Sequence, residues 1–223
     1  MQKRTIWVRG ALTFAVATVL LFALGVFDGL LASAGSFMAP VREPGGTVDA
    51  VVVEGTAQVD TELAKLALSL LAEGKVERIF FVVAGDGRTE LGNAFRGDLS
   101  SRLEDSAEKQ RAEHEVVSII RTPLEHPVTL RSAQVAIEVL SKQGVKRAIL
   151  LTSGFHARRS YLTYQYLGDQ HQMQFYPQAS FAGHVHGKER WWTQRTAALH
   201  FLEQSLKLVY YMIRGYIPFK LSY

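Results

Sequence analysis

The sequence predicts an α/β fold: a doubly wound, mainly parallel sheet of about five strands, preceded by one N-terminal transmembrane helix. Three observations predict it. Short apolar runs rich in β-branched residues alternate with segments whose apolar residues recur at helical spacing. Gly74, Gly144 and Gly168 close three of those segments, and a single uncharged stretch stands near the N-terminus.

That stretch runs from Gly10 to Phe27, eighteen residues without a charge. It is just long enough to cross about 30 Å of hydrocarbon as a helix. Trp7 suits a headgroup region, and Lys3, Arg4 and Arg9 mark their side as cytoplasmic by the positive-inside rule. The expectation is a single-pass anchor over residues 1–34, a flexible tether over 35–47 and one domain over 48–223, held outside the cytoplasm. The alternative is a cleaved leader, because Ala32-Ser33-Ala34 has the small-residue pattern of a processing site. Against it, the run exceeds the usual apolar core of a leader, and Asp28 separates it from Ala34.

Within the domain, DAVVV (Asp49 to Val53) reads as a strand buried on both faces, followed by a helix over Asp60 to Leu71. Arg78 to Val83 is a second strand, Ser101 to Glu115 a polar helix and Val116 to Arg121 a third strand. A helix over Thr129 to Gln143, a strand over Arg147 to Thr152, a helix over His156 to Leu167 and a strand over Met173 to Tyr176 complete the alternation. Arg190 to Arg214 is a last long helix, interrupted by too many polar residues to span a bilayer; it packs over the sheet or rests on lipid headgroups. The loop from Ala84 to Ser100 is longer than most strand-to-helix connections.

Composition removes several classes of function. With no cysteine there are no disulfides, thiolate metal sites or cysteine nucleophiles. From Arg42 onward 22 basic residues face 20 acidic ones, a balance that gives no general nucleic-acid footprint. Any anion site is therefore local.

Ligands of an open parallel sheet bind beyond the carboxyl ends of its strands, where strand order reverses. Four loops are expected there: Glu54 to Val59, Ala84 to Arg88, Thr122 to Thr129 and Thr152 to His156. In TSGFHARRS, Thr152 and Ser153 end a strand, while His156, Arg158 and Arg159 fall on the first turn of the next helix, whose positive end favours an anion. His156 is the candidate for proton transfer, and Arg158 and Arg159 for binding phosphate or carboxylate. Thr129, after Pro127, reads first as a helix N-cap. Glu125 and His126 stand just before it.

Gly55 and Gly85 follow the first two strands and are candidates to face a ligand, although Gly85-Asp86-Gly87 lacks the third glycine of a dinucleotide fingerprint. His184 and His186 lack further visible ligands, so no metal is assigned. Ser153 is in no G-x-S-x-G elbow, and no cofactor is implied by the residues themselves.

These residues resemble the YdcF-like family, whose members include the SanA and ElyC envelope proteins. The likeness extends from Val48 to Tyr211 and is strongest in ILLTSGFHARRSYLTYQYLG, Ile149 to Gly168. It implies site roles for Thr152, Ser153, His156 and Arg159. The segment around Thr129 resembles the Ser/Asn-x-Thr element that precedes the family's third helix, and Glu203, Lys207 and Tyr210 resemble its terminal E-x-x-x-K-x-x-Y helix. Two departures stand out: Glu54-Gly55-Thr56 replaces Gly-Gly after the first strand, and Ala84-Gly85-Asp86-Gly87 replaces a Ser-Gly-Gly turn. The resemblance implies a Rossmann-like domain of a family with members linked to envelope and peptidoglycan assembly; together with the cationic start of the helix after TSGF, the expectation is that it binds or acts on a phosphorylated or anionic envelope precursor. A non-catalytic envelope scaffold and a cytoplasmic S-adenosylmethionine- or nucleotide-binding enzyme are the alternatives.

Overall fold

The computed structural model describes residues 25–55, 61–85, 116–181 and 190–219, together with Thr13, Phe14, Val16 and Thr18. In chain order the elements are α1 (Val26–Met38), β1 (Val48–Glu54), α2 (Thr61–Ala72), β2 (Val76–Ala84), β3 (Val117–Thr122), α3 (Val128–Lys142), β4 (Arg147–Ser153), α4 (Ala157–Asp169), β5 (Gln174–Ser180) and α5 (Arg195–Ile213). Tight 3-10 turns at Gly154–His156 and Trp191–Thr193 precede α4 and α5.

The five strands form one sheet in the order β3-β2-β1-β4-β5, every pair parallel. This is the α/β, Rossmann-like architecture that the alternation of runs predicts. Ala50, Val52, Phe80, Val82, Ala148 and Leu150 face a core shared with α3, α4 and α5. Val51, Val53, Ile79, Phe81, Ile149 and Leu151 face the opposite way, against α2. Because β1 and β4 are central and covered on both sides, they read in sequence as continuous apolar runs with no polar alternation.

Of the expected tether over 35–47, residues 35–42 are packed against the domain rather than loose. Helix α1 runs through the expected boundary to Met38, and both Met38 and Ala39 are buried. Trp191 donates its indole N–H to the Leu31 carbonyl at 3.0 Å, and a side chain at Gly35 would meet the same ring at 2.7 Å. Beyond α1 the chain crosses the outer edge of β5: Val41 bridges Gln178 antiparallel, Arg42 N–H donates to the Pro177 carbonyl, and Ala179 N–H donates to Pro40. An open edge strand invites aberrant pairing, and this segment covers it. Glycine and proline here serve close packing and edge pairing, which composition alone does not distinguish from looseness.

Gly35→Val should therefore force Trp191 out of its seat and cost about 1–3 kcal/mol, as overpacking of a filled site does. A urea titration followed by tryptophan emission measures it; an unchanged midpoint would show that α1 is not part of the folded unit.

Most of the apolar run over residues 10–27 lies outside the described residues, as do the expected helix over 101–115 and His184 and His186. Among the described residues no helix is long and apolar enough to cross a membrane.

Candidate functional site

Successive strands β1, β2 and β3 step outward on one side, and the next strand, β4, is inserted on the other side of β1. The reversal opens a crevice between the carboxyl ends of β1 and β4. A cavity of about 820 Å³ lies there, with Glu54 and Gly55 from the end of β1, Ser153 from the end of β4 and Thr129 from the start of α3. His156 and Arg159 enter from the turn before α4 and its first turn, and α5 closes the far wall with His200, Gln204, Lys207, Tyr210 and Tyr211. Its volume falls in the range usual for small-molecule sites.

The centre of the site is a buried polar cluster. Arg159 donates from Nη1 to the Thr129 hydroxyl at 2.6 Å, and from Nη2 to His156 Nδ1 at 2.8 Å and Gln204 Oε1 at 3.2 Å. Its guanidinium also stacks on the Tyr211 ring, 4.9 Å from the centroid. A guanidinium can only donate, so Nδ1 of His156 must offer its lone pair and the ring carries its proton on Nε2. That nitrogen faces the Ser160 hydroxyl at 2.9 Å and Glu54 Oε2 at 3.5 Å. The longer separation is an electrostatic contact rather than a full hydrogen bond.

Glu54 follows from strand alternation. Ala50 and Val52 point toward the α3, α4 and α5 side, so the next residue of that set delivers its carboxylate beside α4. Burial pushes the Glu54 carboxyl up, but the electrostatic pull of the nearby His156 ring, polar contact with His156 and Ser160, and the charge of Arg159 outweigh it; the net effect holds the group below its usual range. Glu54 is thus an anion in a nearly closed environment. Tyr164, buried beside it, is driven the other way by burial and then by the Glu54 charge, and stays a neutral phenol.

Of the expected site residues, His156, Arg159, Thr129, Ser153 and Gly55 meet at the cavity. Three do not. Arg158 turns outward from the site and lies over the Phe37 ring of α1 at 4.4 Å, because consecutive helical positions diverge by about 100°. Thr152 is buried within β4 and does not line the cavity. Gly85, which follows β2 with a positive φ of 83°, is not part of the lining itself and lies behind Leu124, which is. Thr129 is not the cap of α3 either: Pro127 holds that place, and the Thr129 hydroxyl accepts from Arg159 instead.

Residues not singled out as ligands complete the site. Glu54 entered only as a departure from a family pattern, yet a lone acid ending an apolar central strand at a sheet reversal is the signal that marks it. Gln204, His200 and Tyr211 gave no comparable signal, since helix periodicity assigns them to a face but not to a partner. Ser160 sits under His156 and is fully buried, so it orients the ring and is not placed to attack a ligand. Among the described residues no group of three His, Asp or Glu could hold a metal ion.

Fold and cavity together define a Rossmann-like α/β domain with a buried Glu–His–Arg cluster at its sheet reversal. No family model, curated protein or solved structure matches the chain.

Proposed function

We propose that this chain is a YdcF-like domain, anchored through residues 10–27 and facing outward from the cytoplasmic membrane, which binds a phosphorylated or similarly anionic cell-envelope precursor in the cavity and acts on it through His156. The observation that carries the ligand class is the donor-rich lining: Arg159, three histidines and Lys207, whose ammonium is shared with Glu203 at 2.6 Å, face one lining carboxylate, Glu54. The envelope and the compartment rest on the likeness around Ile149 to Gly168 and on the charges flanking the apolar run.

In this reading an incoming anion competes for the Arg159 Nη2 donor that now binds His156. Releasing it frees Nδ1 as a proton acceptor, while Glu54 stands behind Nε2 to stabilise the imidazolium that follows. The open first turn of α3, which has no side-chain cap and no acidic residue, adds positive potential at the rim. A second reading, a binding domain without chemistry, is favoured by one feature: both nitrogens of His156 are already satisfied within the protein.

Thermal-shift measurements on the detergent-solubilised chain test the ligand class. Pyrophosphate, sugar phosphates or a polyprenyl phosphate should raise the transition, by about 2.7 kcal/mol of stability at a hundredfold excess over Kd. Neutral sugars should not. Silence from every phosphate-bearing compound sinks the proposal. A reporter enzyme active only outside the cytoplasm, fused after Tyr223, should be active; a reporter that works only in the cytosol would favour the nucleotide-binding alternative.

A further inference from the structure

Helix α5 is apolar on its outer face as well as its inner one. Ala197, Leu208, Tyr211 and Met212 face the core, yet Leu199, Leu202, Leu206, Val209 and Ile213 are 50–71% exposed. Their spacing of three and four residues places all five in one stripe along the helix. Soluble domains rarely leave so continuous an aliphatic strip in water, and such strips mark contact surfaces.

We propose that this strip is a membrane-contacting surface: α5 lies along the bilayer, with its five aliphatic side chains below the headgroups. Three observations select lipid as the occupant. Arg195, Lys207 and Arg214 are exposed along the same helix, and Glu203, its one acidic residue, is tied to Lys207 at 2.6 Å, so the rim complements anionic headgroups. Helix α1 begins where the uncharged run over 10–27 ends, and it is fixed next to α5 through Trp191, which donates to Leu31 and stacks on Phe201 of α5 at 3.9 Å. Val26 and Leu30 at the start of α1 are themselves exposed. The same spacing would also suit pairing with a second copy, but Arg195 stands in line with the strip one turn before Leu199, where it can reach headgroups from the end of the strip and would meet its own counterpart in a parallel pair.

Tyr210 joins this surface to the site, since it lies one turn from Leu206 and also lines the cavity. The rim of the cavity is then at the lipid surface, within reach of a ligand that never leaves the bilayer. The inference rests on the membrane part of the proposed function and not on the identity of the cavity's ligand.

The absence of native cysteine allows a direct test on the full chain. Leu202→Cys, Leu206→Cys and, on the opposite side of the sheet, Lys65→Cys are each labelled with an environment-sensitive fluorophore and reconstituted into phosphatidylglycerol-containing vesicles. An interfacial helix buries its apolar face about 5–10 Å deep, so shallow nitroxide lipids should quench labels at 202 and 206 about twofold or more and leave the label at 65 unchanged. Protein that floats with the vesicles while the 202 and 206 labels stay unquenched would overturn the surface and spare the anchor. Labels shielded from water but not quenched by lipid, with 202-to-202 crosslinking, would overturn it in favour of a second copy. Protein that fails to float would overturn surface and anchor together, leaving the cavity reading to its own ligand measurements.

Discussion

Arg159→Met should lower the unfolding free energy by about 3–5 kcal/mol, because removing one member of a buried charge cluster leaves the other without compensation. Arg159, on α4, holds Thr129 on α3, Gln204 on α5 and His156 in the turn before α4, so one side chain ties α4 to both neighbouring helices and fixes the ring that faces Glu54 at the end of β1. Its loss leaves Glu54 as a buried anion beside a neutral imidazole. The double variant Glu54→Leu/Arg159→Met should recover part of the deficit, since replacing both charges by apolar groups is far less costly than orphaning one. Denaturant titrations of the two single variants and the double complete the cycle. A cost below about 1 kcal/mol for Arg159→Met would mean that the cluster is not held as the structure has it.

The second large effect is a pH dependence carried by Glu54. Its folded pKa lies below the ordinary value of 4.5, so the folded protein binds fewer protons at this group than the unfolded chain does. The resulting stabilisation is fully present above the unfolded pKa and disappears as pH falls through the folded one. Wild type should therefore lose stability across the acid range more steeply than Glu54→Gln, whose amide has no proton to take up. Urea midpoints measured for both from pH 7 to pH 3 give the comparison. Parallel curves would place the acid sensitivity elsewhere, and a difference that widened with acid would reverse the sign of the argument.

Much of this molecule is legible in the residues. Runs such as DAVVV and RAILLT have the pattern of strands buried on both faces, and the order of strands and helices restricts where the sheet reverses and hence where a ligand sits. His156, Arg159, Thr129, Ser153 and Gly55 were all reachable by that route. The failures have distinct physical causes. Arg158 and Arg159 are equivalent in sequence, and only the α-helical turn separates a ligand-side cation from one laid on Phe37. Thr129 looked like a cap because threonine is favoured where a helix begins; a partner thirty residues away claimed its hydroxyl. Residues 35–42 looked loose because their order comes from Trp191 and the edge of β5, both far along the chain. Gln204 and Tyr211 are visible only when α5 is docked.

The central claim is that Arg159 is shared between His156 and an incoming anion, and the ring itself reports on it. Nitrogen NMR of the full chain labelled at histidine, compared with His156→Asn for assignment, should show the ligand-free ring protonated on Nε2 with a hydrogen-bonded, proton-free Nδ1. Adding pyrophosphate should shift the Nδ1 resonance as Nη2 of Arg159 moves to the anion. A ring protonated on Nδ1 from the outset, or one indifferent to saturating pyrophosphate, would contradict the account.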